Sequence, residues 1–395
     1  MKIIILTQYF QPEMGAPQSR LFELAKGLQN AGNAVEIVTA MPNYPTGKIF
    51  NQYAGRFSSS ETIEGIKIKR FWLYASNSKK SIPRIISMLS FSFTCLFSWR
   101  YVRNYKPDYF LTESPPLTLA FSGLILSRLS SAKHIMNVSD IWPLSAKELG
   151  AVADGFLYRQ LEKLEKYLYK KSFLVAGQSQ EIIGHISDIV KGKTYLFRNG
   201  VDVNRFAARK ENRETGQKKR IVYAGLLGVA QGVYDICLEL DFKNLDVEFH
   251  IYGNGAQQQE IANFVKHNPE RGVYLHEAVK RDEIPSILQS FDATIIPLVK
   301  NIYGAVPSKI YEAMAAGLPV LFSGEGEGAA IIKQYEAGLV SLPGEWHELG
   351  NNIRLLFSDE SKQRVFSENG LKAAKETFDR NKQISLFNTY LQQCL

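Results

Sequence analysis

Ala305–Val320, AVPSKIYEAMAAGLPV, is the stretch on which the fold turns. Pro307 and Ser308 can open a helix, because proline tolerates the first turn and serine can satisfy orphan N–H groups there. Lys309 and Glu312 follow one turn apart, near the positively polarised helix end. Ala313, Ala315, Ala316 and Gly317 are small enough for close packing, Pro319 stops the helix, and PVLF begins a strand. A lysine at a helix N-terminus suits an anionic phosphate, and a neighbouring carboxylate suits a ribose hydroxyl pair. The stretch therefore points to a nucleotide-diphosphate site. Solvated surface helices carry the same residue types, so the weight falls on the rest of the chain.

A chain of 395 residues is too long for one ordinary core, and two domains are expected. Apolar residues make up 45% and charged residues 22%, as in soluble globular proteins rather than disordered or fibrous ones. Cys95, Cys237 and Cys394 are far apart, with neither metal-ligand spacing nor a disulfide framework, which suits a reducing cytosol. MKIIILTQYF runs straight into strand pattern and is too short for a signal-peptide core. The net charge of +8 calls for an anionic partner. No nucleic-acid recognition module is present, which leaves an anionic membrane surface.

Ile3–Leu6, Ala34–Ala40, Gly65–Trp72, Tyr109–Thr112, His134–Val138, Leu174–Gly177 and Tyr195–Phe197 have strand pattern, with helical segments between most of them. The first loop holds Gly15 but lacks G-x-G-x-x-G, so Gly15 is expected to leave room for a ligand rather than grip a pyrophosphate. Glu113 and Asp140 stand at the carboxyl ends of strands, where ligands bind in open α/β sheets, although Asp140 suits a helix cap equally well. The pattern restarts after the charged stretch 207–219, with strands at Arg220–Ala224, Val247–Tyr252, Val273–His276 and Ala293–Leu298. The reading is α/β with two doubly wound domains in tandem.

Ser78–Arg103, SKKSIPRIISMLSFSFTCLFSWRYVR, is a separate case. Its uncharged run between Arg84 and Arg100 falls short of the roughly 20 residues a spanning helix needs. The flanking Lys79, Lys80, Arg84, Arg100 and Arg103 suit a helix at a membrane interface. A core helix is the alternative, and one helix can serve both purposes through its two faces.

The ordered set of motifs resembles retaining glycosyltransferases of family four. The carriers are Gly15-Ala16-Pro17, DIWP at Asp140, NGVD at Asn199, GLLGVAQG from Gly225, IYGNG at Ile251, and PSKIYEAMAAGLPV. SPPL after Glu113 looks like bacterial O-antigen and capsule enzymes, with N-acetyl-L-fucosamine transferases the nearest group. The resemblance implies the GT-B architecture: two facing Rossmann-like domains with the active site in the cleft between them. The domains would be 1–200 for the acceptor and 201–378 for the donor, with 379–395 packing back on the first.

Residue by residue, the resemblance implies that Glu312 holds the ribose, Lys309 the diphosphate, and Glu113 and Asp140 the acceptor side of the catalytic centre. Gly15, Ala16, Gly225, Gly228, Gly253 and Ile310 would complete the donor site. The first glutamate of the family's pair falls at Gly304, and the usual arginine and lysine of the glycine loop fall at Leu226 and Gln231. The implied reaction moves a sugar from a nucleotide diphosphate, UDP-N-acetyl-L-fucosamine or a similar UDP-HexNAc, with retained configuration and no metal or other cofactor. The implied acceptor is a polyprenyl-diphosphate-linked saccharide. The protein would be cytoplasmic, peripheral on the inner face of the plasma membrane through 79–103, and would bind no nucleic acid. Two other readings stay open: a nucleotide-sugar 2-epimerase of the same architecture and a non-catalytic membrane-associated scaffold.

Overall fold

The computed structural model describes residues 1–78, 81–150, 152–206 and 218–395; Lys79, Lys80 and most of the charged 207–219 stretch lie outside them. The chain divides into two compact units, 1–198 with 381–395, and 199–380.

In the first unit the strands are β1 (Lys2–Thr7), β2 (Ala34–Ala40), β3 (Ser58–Ile63), β4 (Ile66–Phe71), β5 (Tyr109–Ser114), β6 (Lys133–Val138), β7 (Leu174–Gly177) and β8 (Thr194–Leu196). They form one sheet in the order β3-β4-β2-β1-β5-β6-β7-β8. Every pairing is parallel except β3 with β4, a hairpin turned at Glu64 and Gly65, both at positive φ. β3 lies outside the sequence reading because SSSETI carries no apolar alternation; an edge strand is held by its ladder rather than by a buried face.

β1 shows why its apolar run is unbroken. Ile3 and Ile5 join a core with Leu21, Leu24 and Leu28 of the helix Ala16–Asn30, whereas Ile4 and Leu6 join another with Phe91, Cys95 and Leu119. Both faces are covered, as a parallel sheet requires. The helix Arg380–Gln393 adds Ile384, Phe387 and Leu391 to the first of these cores. Asn33 Nδ2 donates to Asn388 Oδ1 at 2.7 Å, and Tyr109 Oη to the Leu391 carbonyl at 2.7 Å.

The second unit holds β9 (Lys219–Ala224), β10 (Val247–Tyr252), β11 (Val273–His276), β12 (Ala293–Pro297), β13 (Val320–Ser323) and β14 (Gly338–Ser341). All are parallel, in the doubly wound order β11-β10-β9-β12-β13-β14. The order reverses at β9 and β12, and at β1 and β5 in the first unit. Those reversals are where open α/β sheets leave a crevice outside the strands' carboxyl ends.

The apolar segment differs from expectation in length. Ser81–Thr94, a one-turn 3-10 break and Trp99–Tyr105 follow one another. Ile82–Tyr105 spans 24 residues, long and apolar enough to cross a membrane by length and composition alone. Phe91, Cys95 and Val102 are buried in the unit, while Ile82, Ile85, Ile86, Leu89, Phe93 and Phe97 are exposed. One face is core and the other is bare.

Candidate functional site

At the reversal of the second sheet, β9 delivers Tyr223 and the glycine loop, and β12 leads to the helix Ser308–Ala316. That helix differs from the sequence reading at both ends. Pro307 is the N-cap and no side chain caps the helix, so Ser308 is its first residue rather than its cap. Gly317, at φ 67°, terminates it before Pro319 is reached, the usual glycine stop. The uncapped end leaves N–H groups and the positive end of the helix dipole for an anion.

Lys309 Nζ donates to Tyr223 Oη at 2.7 Å and lies 4.0 Å from the centre of that ring. Burial pulls its ammonium down to about 8, opposed by the nearby Glu312 charge. Tyr223 Oη in turn donates to the Leu226 carbonyl at 2.6 Å, fixing the glycine loop. Gly225, at φ +149°, leaves the space into which Lys309 reaches; a Cβ there would overlap Lys309 Cε and Nζ. Gly253 lets its own loop close on the Gly225 carbonyl, with Gly225 N donating to Tyr252 O at 2.8 Å. Gly228 leaves room for the Gln231 amide.

Burial raises the Glu312 carboxyl, while Arg205, Arg281, Arg380 and Lys309 draw it back down. Four cations oppose that rise without cancelling it, and the carboxylate makes no hydrogen bond among the described residues. It is an acceptor prepared for donors from outside, such as hydroxyls. Ile310 is a correction: its side chain is fully buried in the core of the unit, so it offers only its backbone at the helix start.

Beside Lys309 opens a pocket of about 350 Å³, mostly aliphatic, with Leu226, Gln231, Ile302, Val306 and Lys300 in its wall. Gly304 stands in the adjoining turn, closed by Ala305 N donating to Ile302 O at 3.0 Å, and has φ 88°. That conformation favours glycine, which accounts locally for the missing glutamate.

At the reversal of the first sheet, Glu113 is the penultimate residue of β5 and is buried. Its oxygens accept from Arg20, Ser139 and Asn137, the last at 2.6 Å. The carboxylate is thus fully engaged, and Arg20, Asn137 and Ser139 are partners that sequence reasoning missed. They come from three separate segments, so no local signal joins them. Asp140 is half-buried; burial raises its carboxyl, and a hydrogen bond from Ser145 in the helix Leu144–Glu148 opposes the rise. Asp140 is not that helix's cap: Pro143 holds the N-cap position, no side chain caps the helix, and Asp140 meets the Ser145 hydroxyl instead. Gly15 precedes the helix Ala16–Asn30 in an extended conformation, φ 172°, which demands no glycine; a Cβ would meet only the side-chain amide of the buried Gln18, which would have to shift. Among the described residues no three His, Cys, Asp or Glu side chains group as a metal would need.

Residues 15–190 match the glycosyl transferase 4-like domain, and residues 204–373 match glycosyl transferases group 1. The chain is a GT-B glycosyltransferase. The transferase is 22% identical over 339 residues to the putative colanic acid biosynthesis glycosyl transferase WcaI of Escherichia coli K12, covering 80% of this chain and 82% of that one. Its fold is shared with sucrose-phosphate synthase of Thermosynechococcus elongatus, at TM-score 0.77, 15% identity and coverage of 100% and 98%. It is shared also with Anabaena HepE, solved in complex with UDP, at TM-score 0.73, 17% identity and full coverage of both chains. The transferase domains favour the transferase reading over the epimerase.

Proposed function

We infer that this glycosyltransferase takes its sugar from a UDP-linked donor and hands it to a polyprenyl-diphosphate-linked saccharide during assembly of a surface polysaccharide. The observation that carries the donor half is the Lys309 ammonium, held under the glycine loop at an uncapped helix N-terminus, with Glu312 one turn further on. The diphosphate would lie against Lys309 and the ribose hydroxyls against Glu312. The UDP complex of HepE and the putative assignment of WcaI to colanic acid biosynthesis support the same direction.

The sugar would fill the aliphatic pocket. Every hydroxyl buried there without a partner costs about 1–3 kcal/mol. A deoxygenated, N-acetylated sugar such as N-acetyl-L-fucosamine, or a related HexNAc, suits such walls better than a plain hexose. The reaction breaks the anomeric C–O bond to the diphosphate and forms the new C–O bond on the same face. The acceptor proton passes to a departing phosphate oxygen, giving the nucleoside diphosphate and a retained configuration. Lys309 and the helix dipole stabilise the leaving charge, the electrostatic work a metal does elsewhere, so the reading includes no metal. Glu113 orients the acceptor side through its network, with Asp140 just past the end of the neighbouring strand β6. The bare face of 82–97, with its basic flanks, would hold the protein on the inner surface of the plasma membrane.

The test is calorimetric titration with UDP and GDP, followed by product analysis. UDP binding in EDTA, with an NMR coupling that shows retained configuration, is the expected result. No binding of either nucleotide would overturn the reading. Liposome flotation checks the membrane half: co-flotation with anionic vesicles is expected, and recovery wholly in the soluble fraction rejects it.

A further inference from the structure

The first unit has a second pocket, of about 310 Å³, that none of the residues above explains. Tyr9 and Tyr44 stand edge to face in its wall, ring centres 6.2 Å apart. Asn43, Ser76, Asn77 and Ser87 supply amide and hydroxyl groups. Two loops make the rim and are locked together. Asn77 Nδ2 donates to the Pro45 carbonyl at 2.5 Å, and Gly47, at φ +70°, allows backbone contact with Asn77 that any Cβ would block. The rim is also anchored from within. Glu13 is buried and its Oε1 accepts from Asn43 N at 2.7 Å and Tyr44 N at 2.8 Å, while Oε2 accepts from Phe10 N at 3.1 Å. A buried carboxylate spent on three backbone groups fixes the shape of the pocket rather than acting in it.

The one cation in the wall is Arg84, on the helix Ser81–Thr94. It is exposed and makes no ion pair or hydrogen bond among the described residues. The same helix carries the bare apolar face: Ile82 is 70% exposed, Phe93 64%, with Ile85, Ile86 and Leu89 between them at helical spacing. An aromatic pair with amides and hydroxyls is the chemistry that takes a saccharide. An unpaired guanidinium takes phosphate. An exposed apolar helix face takes a hydrocarbon chain. All three meet on one helix and the loops packed beside it.

We propose that this pocket is the head-group site for an amphipathic acceptor, with Tyr9 and Tyr44 against its saccharide, Arg84 on its diphosphate, and its lipid along Ile82, Ile85, Ile86, Leu89 and Phe93. The assignment rests on the lipid-linked acceptor inferred above and adds the residues that recognise it. Met88, the other helix residue in the wall besides Arg84 and Ser87, lies between head group and chain.

The experiment is calorimetry on the full-length protein with three soluble probes: inorganic pyrophosphate, farnesyl diphosphate, and farnesyl-diphosphate-linked N-acetylglucosamine. UDP is titrated into each preparation. Wild type should bind the three with rising affinity in that order. Arg84→Ala should weaken both lipid diphosphates at least tenfold with UDP affinity unchanged. Tyr44→Ala should weaken the saccharide-bearing probe alone, and Phe93→Ser both lipid probes but not pyrophosphate. Arg84→Ala binding all probes as wild type does overturns the proposal, as does pyrophosphate binding as tightly as the saccharide lipid. Intact UDP binding with no lipid-diphosphate binding removes this site and leaves the donor assignment standing. Loss of UDP binding in wild type instead brings down the donor assignment.

Discussion

Lys309 occupies the space that a side chain on Gly225 would fill: a Cβ there would overlap Lys309 Cε and Nζ and come within 3.7 Å of Tyr223 Oη. Residues more than eighty positions apart thus form one object, a buried ammonium steadied by a phenol and roofed by bare backbone. Gly225→Ala should push Lys309 from the helix end and strain a backbone at φ +149°. UDP affinity should fall by roughly tenfold or more, the loss of one charge-assisted contact, while the circular dichroism spectrum is kept. Unchanged affinity would show that Lys309 has no part in holding the diphosphate.

Lys309 also sets a pH dependence. Its ammonium is depressed from 10.5 to about 8, so between those values the unfolded chain holds a proton that the folded chain does not. Its contribution to stability therefore rises with pH through that window, and below it the penalty of burying the charge is fully present. Binding runs the other way, because a diphosphate needs the charged form. UDP affinity should decline above pH 8, with proton uptake on binding near that pH, seen as heats that vary with buffer ionisation enthalpy. Heats independent of buffer would separate Lys309 from the phosphates.

Glu312 is argued to meet the ribose, and deoxy ligands isolate that contact. Wild type should bind UDP about tenfold or more tighter than 2′-deoxy-UDP, and Glu312→Ala should bind the two alike. A discrimination that survives the substitution would move the ribose elsewhere.

Arg20 and Glu113 form a buried ion pair, shared with Asn137 and Ser139. Removing one partner of such a pair costs about 3–5 kcal/mol, because the other charge stays buried. Glu113→Ala should lower the melting temperature markedly, and the Arg20→Met/Glu113→Leu double variant should recover much of that loss. A large drop in turnover without a change in melting temperature would make Glu113 a free catalytic base instead.

Phe387 reaches the first unit from the far end of the chain, stacking on Phe197 at 4.9 Å between ring centres. Phe387→Ala should destabilise by about 3–5 kcal/mol. Limited proteolysis is the check, with Met1–Arg198 expected to become sensitive first. Equal sensitivity of the two units would argue against the helix as part of that core.

Much of this was written in one dimension. The apolar run Ile3–Leu6 dictates a strand covered on both faces, because every residue of it needs a dry partner. Ala313 to Gly317 dictate a closely packed helix, although its end falls at Gly317 rather than at Pro319. Lys309 and Glu312 are legible for the same local reason, since one turn of helix places both near its N-terminus. Such features depend on neighbours within a turn or a strand, and the sequence carries them openly. The edge strand Ser58–Ile63 escapes because ladder hydrogen bonds leave no hydrophobic period.

The tertiary structure alone decided what those residues meet. Tyr223 under Lys309, Arg205, Arg281 and Arg380 around Glu312, and Arg20 on Glu113 are unions of distant segments. It decided too that Ile310 faces the core, and that Glu13 is consumed in holding a loop. Electrostatic character follows from burial and from charges across space. A sequence lists the groups that can ionise; only packing determines which of them lose water, and beside which charge.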